Sequence, residues 1–129
     1  MENKYKQKLS QITIKILSAY TYWNNITRHI PKMRRYSIGV KIDIGFSDLI
    51  ELVSTAQFST GILRKESLAR AIIKNDVLKF LLFALHELHG IEIKHFLTIS
   101  TQLEEIGSML YGWKQQTTKQ LEKLPEYKT

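Results

Sequence analysis

Apolar positions recur at intervals of three and four along most of this chain. Ile12, Ile16, Ala19, Trp23, Ile26 and Ile30 follow at steps of 4, 3, 4, 3 and 4. Beyond Pro31 the rhythm resumes with Ile38, Ile42, Gly45, Leu49, Leu52 and Ala56. A third set runs Leu68, Ala71, Asn75, Leu78, Leu82, Leu85, and a fourth Phe96, Ile99, Leu103, Ile106, Leu110, Trp113. Each set falls on one face of a helix, as at the seam of a bundle. Four helical segments of roughly 20 to 25 residues with short breaks predict an all-α fold, an antiparallel up-down four-helix bundle. The 129 residues form one domain, 1–129, since two halves would each bury too little core.

The breaks have local chemistry. Pro31 cannot continue the first helix, and Ile30 before it is pushed out of the helical region. Ser59, Thr60 and Gly61 separate the second and third segments, with Ser59 or Thr60 as N-cap. Gly90 is placed to end the third helix as its C′ residue. Residues 1–10 read as a basic tail and residues 118–129, where the stripe dissolves, as a frayed end. Ile12, Ile14 and Ile16 also alternate with Thr13 and Lys15 as a strand would. A lone strand has no partner for its backbone groups, so the helical reading prevails.

Helix three carries surplus apolar surface. From Val77 to Leu85 only Lys79 is polar, and a helix apolar all round is buried on more than one side. That predicts self-association, with Phe80 and Phe83 at a subunit contact. Cover by the N-terminal tail or by long Lys side chains is the alternative. The run is about half the length of a membrane span, so no membrane partner is expected. Gly107 and Gly112 interrupt the fourth helix, each at about 1 kcal/mol relative to Ala, which points to a close neighbouring backbone. Asn75 on the third stripe is either a buried amide that fixes register or a solvent-facing residue with Ile72 in its core slot.

Charge changes the picture of function. Met1 to Arg35 holds eight basic side chains against Glu2, whereas the remainder balances eleven against eleven. The net charge of +7 therefore sits at one end of the sequence. A field so directed attracts polyanions, namely nucleic acid, an acidic protein or an anionic membrane; a merely solvated basic tail is the bland alternative. The chain has no cysteine, which excludes disulfides and thiolate chemistry. The polar N-terminus lacks the apolar core of a signal peptide, so a cytoplasmic protein is expected.

Catalytic signals are weak. His86-Glu87-Leu88-His89 is one residue short of the zinc-protease helix spacing. Three-residue spacing suits bundle metal sites only when carboxylates converge from other helices, and Asp43, Asp48 and Glu51 lie off the core stripe. Glu104 and Glu105 point about 100° apart and do not form an acid pair. With no serine base and no phosphate loop, the chain reads as a binding protein without cofactor, metal or enzymatic activity. Tyr20, Tyr22 and Trp23 cluster at a seam position and read as core rather than as a base-stacking platform.

Three segments, in order, resemble one family. They are Ile30-Pro31-Lys32-Met33-Arg34-Arg35-Tyr36-Ser37-Ile38-Gly39, then Asp76-Val77-Leu78-Lys79-Phe80-Leu81-Leu82 with His86-Glu87-Leu88, then Leu103-Glu104-Glu105-Ile106-Gly107 through Gly112-Trp113. Between about Tyr20 and Lys114 the chain is similar to the accessory variability determinant (Avd) proteins of diversity-generating retroelements. These belong to a wider four-helix-bundle group that includes proteins encoded in ribosomal-RNA intervening sequences. The resemblance implies a ring-shaped homopentamer with a basic surface. It implies binding to the retroelement's reverse transcriptase and to RNA and DNA, in support of adenine-directed mutagenic retrohoming. In that light Pro31, Gly39, Gly107, Gly112 and Trp113 are structural motif positions. A stand-alone bundle of the intervening-sequence type, with no transcriptase partner, is the alternative.

The chain departs from the family where relatives often carry two arginines four apart on helix three; here stand Lys79 and Phe83. Ser108 also replaces a frequent basic residue. The candidate nucleic-acid contacts are therefore Arg28, Lys32, Arg34 and Arg35 at the first turn, with Arg64, Lys65, Arg70, Lys74 and Lys79 on helix three. Arg35 is equally a candidate for holding the turn by bonding helix-end carbonyls.

Overall fold

Ser10 opens the first helix: its Oγ accepts from the Thr13 N–H at 3.1 Å, satisfying one amide that has no partner within the helix. In the computed structural model, which describes residues 10–124, α1 spans Gln11–Ile26 and closes in a 3-10 turn at Thr27–His29. A one-turn helix, α2, covers Lys32–Arg35; α3 covers Ile38–Gln57, α4 Gly61–Glu87 and α5 Ile93–Glu122. Among the described residues there is no strand. The isoleucine alternation at 12–16 is helical because Ile12 and Ile16 are buried while Ile14 is exposed. Apart from Ser10, the tail expected over residues 1–10 lies outside the described residues.

Consecutive long helices run antiparallel. Tyr20 stacks on Phe46 at 5.3 Å between α1 and α3, and Ser10 N–H donates to Gln57 Oε1. Lys74 reaches Asp48 between α4 and α3. Asn75 and Lys79 on α4 reach Leu103 and Glu104 on α5, and Lys15 on α1 meets Glu105 on α5 at 2.7 Å. The circuit α1–α3–α4–α5–α1 is the up-down bundle that the spacing predicts. All six residues of the first stripe are buried, and all six of the third. Ile38 and Leu52 of the second, and Phe96 and Trp113 at the ends of the fourth, are half-buried. Phe46 and Val53 complete the core from α3.

Asn75 is fully buried, and its Nδ2 donates to the Leu103 carbonyl at 2.9 Å. A Cβ at Gly107 would lie 3.1 Å from that nitrogen, so the glycine makes room for the amide. Gly45 does the same for Leu78, whose Cδ2 would lie 2.6 Å from an added Cβ. Gly112 differs from both. It is exposed with nothing within 4 Å of an added Cβ, so no neighbour inside the described residues accounts for it.

Two boundaries differ from expectation. Helix α5 continues to Glu122 instead of fraying from Thr118, because Thr117 and Leu121 are buried and extend its apolar face. Residues 125–129 of the expected frayed end lie outside the described residues. At the end of α4 the left-handed residue is His89, with φ 58°, and not Gly90. Gly90 N–H donates to Leu85 O and His89 N–H to His86 O, closing a Schellman turn. Glycine is needed at 90 for space instead: a Cβ there would collide with Leu85 and press on Arg34.

Candidate nucleic-acid interface

Pro31 lacks an amide hydrogen and fixes its own φ, so the chain leaves α1 and re-enters helix at α2 within a few residues. This tight connection gathers Arg28, Lys32, Arg34 and Arg35 at one end of the bundle. Arg35 has a structural task. Its Nη2 donates to the carbonyls of Arg28 at 3.1 Å and Ile30 at 2.9 Å, where helical partners have run out. Gly39 fits tightly behind it, since a Cβ there would meet the Arg34 carbonyl at 3.1 Å. Arg28 and Lys32 are exposed and Arg34 is half-buried. None of these three forms an ion pair among the described residues.

The cations of α4 are dispersed. Arg64 donates from Nε to Ala56 O at 2.8 Å and lies over the Trp113 ring at 5.5 Å, capping the end of α3. It and Lys65 stand roughly 30 Å along α4 from the Arg28–Arg35 end, at 1.5 Å per residue. Lys74 pairs with Asp48 at 3.2 Å, and Lys79 with Glu104 at 3.1 Å and Asp76 at 3.5 Å. Such partly exposed pairs contribute only about 0.2–1 kcal/mol. Their larger consequence is local neutralisation of charge that a phosphate would otherwise meet. Burial pulls the Lys79 ammonium down, but the hydrogen bond and charge of Glu104, with Asp76, raise it on balance. Arg70 is exposed and forms no ion pair among the described residues. Arg70 and Lys74 stand four apart and share a helix face, but that spacing does not show that Asp48 from α3 lies beside Lys74.

Sequence spacing also missed the neighbourhood of His29. The antiparallel packing brings the 3-10 turn beside the end of α4, and His29, His86 and His89 line one cleft. Among the described residues no group of three or more His, Asp or Glu is placed to hold a metal ion. His95 lies apart, its Nδ1 2.7 Å from Tyr22 Oη. Tyr20 is pushed above the usual phenol range by burial and by the nearby Asp43 carboxylate.

The outer side of α4 is apolar as well as its core side. Ile73, Val77 and Phe80 are exposed along one stripe, Phe80 at 75%. Phe80, Phe83 and Phe96 line a groove between α4 and α5, edged by Asp76, Lys79 and Glu104. No described residue covers this face. Among the described residues no helix is long and apolar enough to cross a membrane.

Comparison with known proteins completes the description. The family model described as bAvd-like matches residues 6–117. No curated protein and no solved structure matches the chain.

Proposed function

We propose that this chain, which belongs to the bAvd-like family, is a non-catalytic accessory protein of a diversity-generating retroelement. The family match across residues 6–117 is the observation that carries this reading. Membership suggests an accessory role in such elements. The protein holds the reverse transcriptase and the template RNA or its cDNA together in the cytoplasm, in support of mutagenic retrohoming. Arg28, Lys32 and Arg34 support the nucleic-acid part, because no carboxylate among the described residues pairs with them. Binding of this kind releases counterions and positions phosphates without reading sequence. Specificity then comes from the transcriptase and the shape of the RNA.

Assembly follows from the outer face of α4. Burying Ile73, Val77, Phe80 and Phe83 against other copies removes apolar surface from water, at about 25 cal/mol per Å². A ring, a pentamer by the family's precedent, repeats the basic turn on every subunit and converts weak contacts into avidity. The test is co-purification with the reverse transcriptase and template RNA of the same retroelement. Wild type is expected to elute with both, and Arg28→Ala/Lys32→Ala/Arg34→Ala to keep its fold and size but lose RNA. A protein that elutes alone contradicts the accessory role and favours a stand-alone bundle.

A further inference from the structure

Three histidines from two separate stretches of sequence share a cleft of about 270 Å³ beside the basic turn. His29 comes from the 3-10 turn, His86 from the last turn of α4 and His89 from the Schellman turn beyond it. His89 holds a left-handed backbone, which non-glycine residues adopt at a cost. His86 Nδ1 is buried with no hydrogen-bond partner among the described residues, 3.9 Å from Glu87 Oε1. Pro31, Gly90, Ile91 and Glu92 complete the lining.

Charges of both signs surround the cleft. Arg34 packs its stem against Gly90 at the edge of the cleft, and Arg28 precedes His29. Two carboxylates oppose them: Glu87 beside His86, and Glu92, which Lys94 approaches at 3.7 Å. The Phe96 ring lies tilted against the His86 ring with centroids 4.7 Å apart, and His95 is engaged with Tyr22 of α1. Residues Gly90 to Glu92 lead into α5, whose first N–H groups have no partner within the helix and receive no side-chain cap. The cleft's own lining offers three imidazoles and one carboxylate, Glu92, with the Arg34 stem at its edge, and three protonated imidazoles outweigh that one acid in favour of an oxyanion.

We infer that this cleft is a binding site for a nucleic-acid backbone phosphate, gripped by His29, His86 and His89 in their protonated form. The inference rests on the proposal that the Arg28–Arg34 end meets nucleic acid. Each imidazole that gains a proton adds a positive charge and turns an acceptor nitrogen into a donor. Phosphate binding and protonation are therefore linked, and RNA affinity rises as pH falls through the histidine range.

The test is anisotropy of a labelled short single-stranded RNA at fixed ionic strength, at about pH 7.5 and about pH 5.5. Three proteins are compared: wild type, His29→Gln/His89→Asn, and Arg28→Ala/Arg34→Ala. Both imidazoles removed are exposed, and Asn tolerates the left-handed backbone at 89, so the fold is retained. Wild type is expected to bind roughly tenfold tighter at the lower pH, and the histidine variant to respond less than about threefold. An undiminished pH response in the histidine variant overturns the inference. A wild type indifferent to pH, with RNA binding lost in the arginine variant, also overturns it and leaves the basic end intact. Absence of RNA binding at either pH overturns both.

Discussion

Inside the bundle, the Asn75 amide reaches the Leu103 carbonyl because residue 107 has no side chain in the way. Gly107→Ala improves helix propensity by about 1 kcal/mol but pushes the amide off its acceptor, which costs about 1–3 kcal/mol. A net loss of stability on denaturant unfolding is expected, and a gain would show that the amide is not held there. Gly112→Ala meets no neighbour among the described residues, so it is expected to stabilise the fold by up to about 1 kcal/mol in the same assay. Trp23 is fully buried, and Trp23→Ala is expected to cost about 3–5 kcal/mol. Half-buried Trp113 leans on Arg64, so its replacement costs less. The seam residues were legible because one-dimensional spacing decides which side of a helix is apolar. The choice between a buried and an exposed Asn75 was not legible, because its partner carbonyl lies on another helix.

Helix ends and interhelix ties behave similarly. The break at Pro31 was readable from proline chemistry, and Arg35 as a turn clamp was one of two readings that the sequence allowed. The one-turn helix Lys32–Arg35 was not readable, since four residues carry no period. At the end of α4, glycine at 90 suggested the left-handed site, yet the space behind Gly90 is what requires it and His89 bears the positive φ. His89→Gly is accordingly expected to raise stability by about 0.5–1 kcal/mol, seen as a higher melting temperature. Between α4 and α5, Lys79 is held charged by Glu104 and Asp76 against the effect of burial. Its pKa is raised in the fold, so its contribution is complete below the unfolded lysine value. That contribution fades as pH climbs through the folded one, above about pH 10.4. Melting curves of Lys79→Met and wild type are expected to converge there and to differ at neutral pH. Asp48 beside Lys74 and Glu104 beside Lys79 come from neighbouring helices, which explains why a list of cations overstated the free charge.

At the scale of the molecule, the described residues present two surfaces that suit partners: the outer apolar face of α4 and the basic end around Arg28, Lys32 and Arg34. Phe80→Glu places a charge on a residue 75% exposed in the chain, so the fold is expected to survive while assembly fails. Light scattering checks this: wild type well above 15.1 kDa, near five subunits, and the variant near one. The basic end bears on the central claim, that cations with no ion pair among the described residues hold RNA there for the transcriptase. Its most direct measurement is the slope of log Kd against log salt for single-stranded RNA, in wild type and in Arg28→Ala/Lys32→Ala/Arg34→Ala. Each phosphate contact contributes about 0.7 to that slope, so the variant's slope should be shallower by about 2 for each basic end engaged. An unchanged slope in a folded variant of wild-type size would contradict the account.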